Sequence, residues 1–297
     1  MSKLRTVIKV ATDPRWWPFY AQRRILSPDA RNAIAGLVAR RRPQARITAP
    51  QLAEAGAANL DTVGIHHMGG VLTTDQCAEL REYFLSKKVF DPYRVRSAEF
   101  LPDSEHRDKR AHVAHHRAED ILAAPWLLHL ANDSRILDIA STYLGCRPTI
   151  GYMACWWSYP TEGGPQHAEY CHRDVDDWRF VKLFVYLTDV GPRSGPHVYV
   201  RGSGNDSRLV KIRRFSDEEV FNTFGSDRFE TMTGKAGEAF FENTYGIHKG
   251  QPVEDGSRLI FQVVYSLNPL PYSPVKPVRP NTQPELLDPW INRIYLR

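Results

Sequence analysis

The sequence holds one short arrangement with evident chemical capacity, His172-Arg173-Asp174. In an extended segment, residues two apart point to the same face, so the imidazole and the carboxylate can converge on one point. His248, seventy-four residues beyond Asp174 and several β-prone runs later, supplies a third candidate. Two histidines and one carboxylate on neighbouring strands form a facial triad that leaves three coordination positions of an Fe(II) open. Taken alone, a His-x-Asp pair occurs by chance in many chains and reads as a hydrogen-bonded pair at a strand end. Arg258 strengthens the pattern, ten residues after His248 on the β-prone run 257–262. An arginine inside a β-barrel is costly unless paired. A guanidinium beside a metal with open positions is suited to gripping the far carboxylate of a chelating dicarboxylate.

Other residues compete for these roles. His167-Ala168-Glu169 is a second pattern of the same kind, five residues before the first. It lies among Gly163, Gly164 and Pro165 and reads as a substrate-facing loop. His112, His115 and His116 have the spacing of one helical face. No Glu follows the first of them, so a zinc-protease pattern is absent, and they read as pocket-rim or surface residues. Trp156 and Trp157 are adjacent on a β-prone run, which places one in the core and one toward the pocket. Residues 233–237 are too short and unhelical to form a phosphate loop.

His172-Arg173-Asp174, the run 180–189, Ser194-Gly195-Pro196-His197-Val198-Tyr199-Val200-Arg201-Gly202-Ser203, and Gly246-Ile247-His248-Lys249-Gly250 through Arg258 resemble the phytanoyl-CoA dioxygenase family. These are Fe(II)- and 2-oxoglutarate-dependent oxygenases on a double-stranded β-helix. The resemblance is firm over residues 145–267 and weaker over 64–87, where it implies a leading strand and helix. It does not reach residues 1–60 or the tail. It implies that His172, Asp174 and His248 hold iron as the catalytic centre, that Arg258 holds the 5-carboxylate of 2-oxoglutarate, and that O2 is consumed. The implied reaction hydroxylates or otherwise oxidises a small organic substrate and releases succinate and CO2. One departure is Arg201-Gly202-Ser203-Gly204, where the family often reads PGSH; this bears on loop contacts. Related halogenases carry Ala or Gly in place of the carboxylate, so Asp174 points to added oxygen, not halogen. A function of another class, a non-catalytic jelly-roll module binding a sugar or small acid, would keep the fold without turnover.

The elements that must position these residues fall into two halves. The first third reads as helical: Ser27-Pro28 opens a helix with Ala30, Ile34, Leu37 and Val38 inward. Thr48 with Gln51 predicts a capped helix through Leu60, and Thr73 with Gln76 another with Cys77, Leu80 and Phe84 on one face. Asp133 or Ser134 opens a fourth, closed by Gly145. From about residue 147, short β-prone runs appear at 149–157, 180–188, 197–200, 238–241 and 259–265, separated by Gly, Pro, Asp and Ser turns. A single helical stretch is expected near 216–224. This texture predicts an α+β fold, an antiparallel β-sandwich or jelly roll with helices packed outside; the resemblance implies its double-stranded β-helix (cupin-like) form, with the N-terminal helices outside. The expected division is a basic helical extension over 1–60, a dioxygenase domain over 61–270, and a proline-rich tail over 271–297 running extended along the surface.

Composition sets the outer bounds. The chain has 297 residues, 42% hydrophobic and 25% charged, as in a folded globular protein. No run approaches about 18 apolar residues, so no membrane-spanning helix is expected. The four cysteines form no CxxC pair, which suits a reducing, cytoplasmic location. The net charge of +5 is uneven: residues 1–47 carry eleven Lys and Arg against two Asp, a net of +9. That arm has no nucleic-acid motif, so nucleic acid is not expected as partner; a solvated arm or a homo-oligomer contact is.

Overall fold

The computed structural model describes residues 11–94, 98–105, 107–273 and 287–296. Ten strands form two antiparallel sheets: β1 (Ile65–Gly70), β2 (Val89–Phe90), β3 (Val113–His116), β4 (Thr149–Ser158), β5 (Phe180–Tyr186), β6 (His197–Val200), β7 (Phe229–Met232), β8 (Glu238–Glu242), β9 (His248–Gly250) and β10 (Arg258–Ser266). The larger sheet has seven strands in the order β1-β8-β5-β10-β4-β3-β2, and the smaller has three in the order β7-β6-β9. This is the expected jelly roll.

Every residue of β5 and β10 is buried, because each face of the larger sheet is covered. Val181, Leu183 and Val185 on β5, with Leu259, Phe261, Val263 and Tyr265 on β10, enter the core shared with the helices. Their alternating neighbours Phe184, Tyr186 and Ile260 face the smaller sheet. The same two-residue alternation puts Lys182, Gln262 and Arg258 between the sheets, where polar groups need partners. Trp157 belongs to the helix-side core and Trp156 to the inner side, as their adjacency requires.

The helices are α1 (Trp16–Gln22), α2 (Pro28–Ala39), α3 (Pro50–Thr62), α4 (Thr74–Leu85), α5 (Ala118–Ala123), α6 (Leu127–Ala131), α7 (Ser134–Leu144) and α8 (Asp217–Phe224). The Thr73–Gln76 capping box is formed at α4, Asp133 caps α7, and Gly145 ends α7 in the left-handed conformation. Two expectations at the N-terminal end are corrected. Thr48 does not cap α3; its N–H and hydroxyl, with the Ala49 N–H, donate to the buried Asp138 carboxylate on α7 at 2.7–2.8 Å. On α2 the buried face is Arg31, Ala35 and Ala39, while Leu37 is exposed. The Arg31 guanidinium turns that face inward, since it donates to Gln22 and Ile25 of its own chain segment and to the Asp177 carbonyl. Basic residues of this region therefore serve carbonyls of the same chain.

The C-terminal end also departs from the expected surface course. The prolines at 274, 277 and 280 lie outside the described residues, but Ile291, Ile294 and Tyr295 are buried in the main core. β3 covers only the 156–158 end of β4. The remaining edge is closed by the returning chain: the Ile150 N–H donates to the Ile291 carbonyl at 2.9 Å and the Met153 N–H to the Tyr295 hydroxyl at 2.7 Å. An open strand edge is unfavourable, and here the tail satisfies it. All four cysteines are unpaired and buried. Burial pushes the Cys77 and Cys146 thiols up to about 11 and Cys171 to about 12.

Tyr295→Phe keeps the ring and removes the acceptor, leaving the Met153 N–H buried and unpaired. The expected cost is about 1–3 kcal/mol, read as a lower urea midpoint at unchanged slope.

Candidate active site

The residues singled out by spacing meet in the gap between the sheets. His172 forms an isolated antiparallel bridge with His248, each backbone N–H donating to the other's carbonyl at 2.9 and 3.0 Å. Two residues on, the Asp174 N–H donates to the Thr244 carbonyl at 2.9 Å. The segment bearing the first two side chains is thus laid against the segment bearing the third. Its middle residue, Arg173, points the opposite way. Its guanidinium donates to the carbonyls of Ser203, Tyr245, Asp206, Arg208 and Leu209 at 2.7–3.2 Å, which pins the segment from behind. Within the Arg201-Gly202-Ser203-Gly204 turn, the Ser203 hydroxyl accepts the Ile247 N–H at 2.7 Å, next to His248. Gly246 has no alternative residue here, since a Cβ would lie 1.9 Å from the Tyr199 hydroxyl.

The two imidazoles are held alike. Nδ1 of His172 lies 2.8 Å from the Tyr170 carbonyl, and Nδ1 of His248 lies 3.0 Å from the Gly246 carbonyl. A carbonyl only accepts, so Nδ1 carries the proton in each ring and Nε2 presents its lone pair. The Nε2 atoms stand 3.6 and 3.3 Å from the Asp174 carboxylate oxygens. All three ligand atoms lie within 4.8 Å of one another. Ligands about 2.1 Å from one first-row ion stand about 3 Å apart at right angles, so a small inward adjustment suffices for a metal. Burial, reinforced by His248, pushes His172 down to about 3, which keeps it a neutral ligand at neutral pH. Burial also opposes charge on His248, but the Asp174 carboxylate outweighs it and the pKa rises. Asp174 is held well below the usual carboxylate range; burial alone would raise it, and Lys182 with the two histidines reverses that.

Lys182 is a residue the sequence reading gave no role. From β5 its ammonium reaches Asp174 at 2.6 Å and Asp176 at 3.2 Å. A charged residue at an inward position of an otherwise apolar strand was the available signal. The same holds for Glu242 on β8, which is fully buried and 3.0 Å from His197 Nε2. His197, Glu242 and His248 also cluster within 4.8 Å. They suit a metal less well, because the His248 nitrogen facing Glu242 is Nδ1, already donating to Gly246.

Arg258 lines the same cavity, of about 200 Å³, as His172, Asp174 and His248. Its Nη2 donates to the Ser158 hydroxyl at 3.0 Å, while Nε and Nη1 are buried without a partner. Burial lowers its pKa against the weaker pull of Tyr186 and Glu169, neither of which pairs with it directly. Such orphaned donors fit a carboxylate. Trp156, Phe184 and Ile260 supply apolar wall.

The rival sets are not brought together as metal sites. His112, His115 and His116 do not share a helical face: 113–116 are strand β3, and His115 stacks on Trp156 at 5.4 Å. His116 is core, and His112 pairs with Glu169 at 2.8 Å. His167 stacks on Tyr93 at 3.6 Å with its backbone in the left-handed region, φ 47°.

Residues 60–258 match the family model of phytanoyl-CoA dioxygenase (PhyH). The chain belongs to this family. As a phytanoyl-CoA dioxygenase family member it is an iron- and 2-oxoglutarate-dependent oxygenase. Three solved structures share the fold. EctD from S. alaskensis with bound Fe is 19% identical with a TM-score of 0.53, covering 86% of this chain and 93% of its own. The epimerase SnoN in complex with Fe3+, alpha ketoglutarate and nogalamycin RO is 20% identical at 0.51, covering 79% and 97%. The carbocyclase SnoK from nogalamycin biosynthesis is 17% identical at 0.51, covering 74% and 87%. No curated protein sequence matches the chain. No helix among the described residues is long and apolar enough to cross a membrane.

Lys182→Met removes the cation between Asp174 and Asp176 and is expected to destabilise the metal-free protein by about 3 kcal/mol, the low end for a broken buried pair. Because a bound cation would replace the lost charge at Asp174, Fe(II) should raise the melting temperature more in the variant than in the parent; differential scanning calorimetry with and without metal compares the two.

Proposed function

We propose that this oxygenase hydroxylates an unactivated carbon of a small organic molecule, with one Fe(II) held by His172, Asp174 and His248 and with the distal carboxylate of 2-oxoglutarate held by Arg258 and Ser158. The observation that carries the reading is one cavity containing both features. Two Nε2 lone pairs and a carboxylate converge at one place, and unpartnered guanidinium nitrogens wait at another.

The work of the chain is orientation and exclusion. The Tyr170 and Gly246 carbonyls fix which nitrogen each histidine offers, and such partners tune ligand basicity as well as direction. Lys182 keeps the Asp174 carboxylate ionised and aimed. Arg258 binds its carboxylate in a buried setting, where charge-assisted bonds are strong. Trp156, Phe184 and Ile260 keep water from the reacting centre. Bound there, Fe(II) with 2-oxoglutarate and O2 would supply an oxidant able to break a C–H bond while 2-oxoglutarate becomes succinate and CO2. The catalytic unit is residues 61–270, buttressed by helices of 1–60 and by the end of segment 271–297. The four covered, unpaired thiols support a reducing, cytoplasmic setting.

Two experiments test this. Anaerobically purified protein should take up one equivalent of Fe(II), and the His172→Ala/His248→Ala double variant should take up none; full uptake by the double variant would move the site to other residues. Arg258→Gln should raise the 2-oxoglutarate concentration needed for half-maximal succinate formation on the order of 10²-fold, since two charge-assisted bonds of roughly 1.5–3 kcal/mol each are lost. Fe(II) affinity should be nearly unchanged. An unaltered 2-oxoglutarate curve would place that carboxylate elsewhere.

A further inference from the structure

Beyond the metal-binding cavity lies a smaller recess of about 30 Å³, lined by Tyr93, Arg94, His112, Gln166, His167 and Glu169. Val113, Ala168 and Glu169 line both spaces, so the recess opens from the place where substrate would sit under the proposed function.

The charges around this junction are matched with one exception. Asp176 has Lys182 at 3.2 Å, and Asp91 has Arg94 at 2.7 Å. Asp174 is assigned to the metal and Arg258 to the co-substrate. The Glu169 side chain is only 13% exposed, and no Lys or Arg among the described residues pairs with it. It accepts the Gln166 N–H at 2.6 Å and faces His112 Nδ1 at 2.8 Å. On the far side of that ring, His112 Nε2 is buried with no partner. Nδ1 therefore serves Glu169, and the hydrogen-bonding capacity of Nε2 is left over. A buried carboxylate without a Lys or Arg partner has room for a cationic one. The wall beside it suits a cation as well: Tyr93 and His167 stack in parallel, 6° apart, and an aromatic face attracts an ammonium. His167 holds this position through a left-handed backbone, a conformation costly enough to mark function when it persists.

We propose that Glu169 determines substrate specificity, and that the substrate carries a protonated amine that pairs with the Glu169 carboxylate against the Tyr93–His167 stack. The location of the substrate rests on the oxygenase reading; the charge preference rests on the recess. Arg94 does not invert that preference because Asp91 already holds it. Of the other nearby cations, Arg214 is exposed, and Arg258, which attracts Glu169 through space, is taken by the co-substrate under the proposed function.

The test uses the full chain loaded anaerobically with Fe(II) and 2-oxoglutarate, and three probes of one length: n-hexylamine, 1-hexanol and hexanoate. Their dissociation constants are measured by ligand-observed NMR. Hexylamine should bind about 10-fold or more tightly than hexanol, the range for a hydrogen bond to a charged partner, and hexanoate should bind weakest. Glu169→Gln should erase the amine preference, and Glu169→Asp should restore part of it. The 2-oxoglutarate affinity of each variant, measured on the same sample, shows that the cavity is intact. Equal binding of amine and alcohol, tighter binding of hexanoate, no binding of any probe, or a preference that survives Glu169→Gln would each overturn the proposal. The wild-type comparison alone decides it should the variants fail to fold. Failure of the oxygenase reading would show differently, as absent Fe(II) or 2-oxoglutarate uptake with the amine preference intact.

Discussion

His172 and His248 exchange both backbone hydrogen bonds, and the geometry of the site follows from that pairing. Side chains alternate along extended chain, so a slip of one residue would turn Arg173 and Lys249 inward and the histidines away. Several contacts hold the register. Arg173 ties the near segment to five carbonyls behind it, and the Ser203 hydroxyl holds Ile247. Gly246 permits the close approach of Tyr199. The convergence of the two imidazoles and the carboxylate is therefore set mainly by backbone, with side-chain freedom removed afterwards by the Nδ1 contacts.

A second constraint is the double burial of the larger sheet. Its outer face needs the helices of the N-terminal third, and its inner face needs the smaller sheet. Against that setting, Lys182, Glu242 and Arg258 are the costly residues, charged groups on strands that are otherwise hydrophobic. Lys182 meets Asp174 and Asp176, Glu242 faces the His197 ring, and Arg258 lacks an anion at a place where a ligand would supply it. Consistency at every level is what makes a sequence fold, and departures from it concentrate at functional sites.

Much of this was legible from sequence because the signals were local. The five long β-prone runs appear within two residues of their expected ends, and the Thr73 and Asp133 caps work as read. His172, Asp174, His248 and Arg258 do share one cavity. What escaped depended on tertiary contact. β2, β3, β7 and β9 are two to four residues long, and none carries an apolar run like that of the equally short β6. On α2, Ile34 and Val38 are half-buried as expected and only Leu37 points out; Arg31 is drawn in by four acceptors, the Gln22 side chain and the Gln22, Ile25 and Asp177 carbonyls, which no propensity encodes. Thr48 lost its capping role to Asp138, ninety residues away. Lys182 was hidden inside an apolar run, and its role emerges only when Asp174 and Asp176 are seen beside it.

The placement of sulfur has a consequence for durability. A thiol reacts as its thiolate, and Cys77, Cys146, Cys155 and Cys171 are all covered and shifted by burial toward the protonated form. No cysteine or methionine lines the cavity among the described residues; besides its charged groups and the Ser158 hydroxyl, its walls are hydrocarbon, imidazole, amide and one indole. A chain that handles oxygen at iron thus keeps its most readily oxidised atoms out of the chamber and chemically quiet outside it. A misdirected turnover would meet the lining imidazoles and the Trp156 ring before any sulfur of the core.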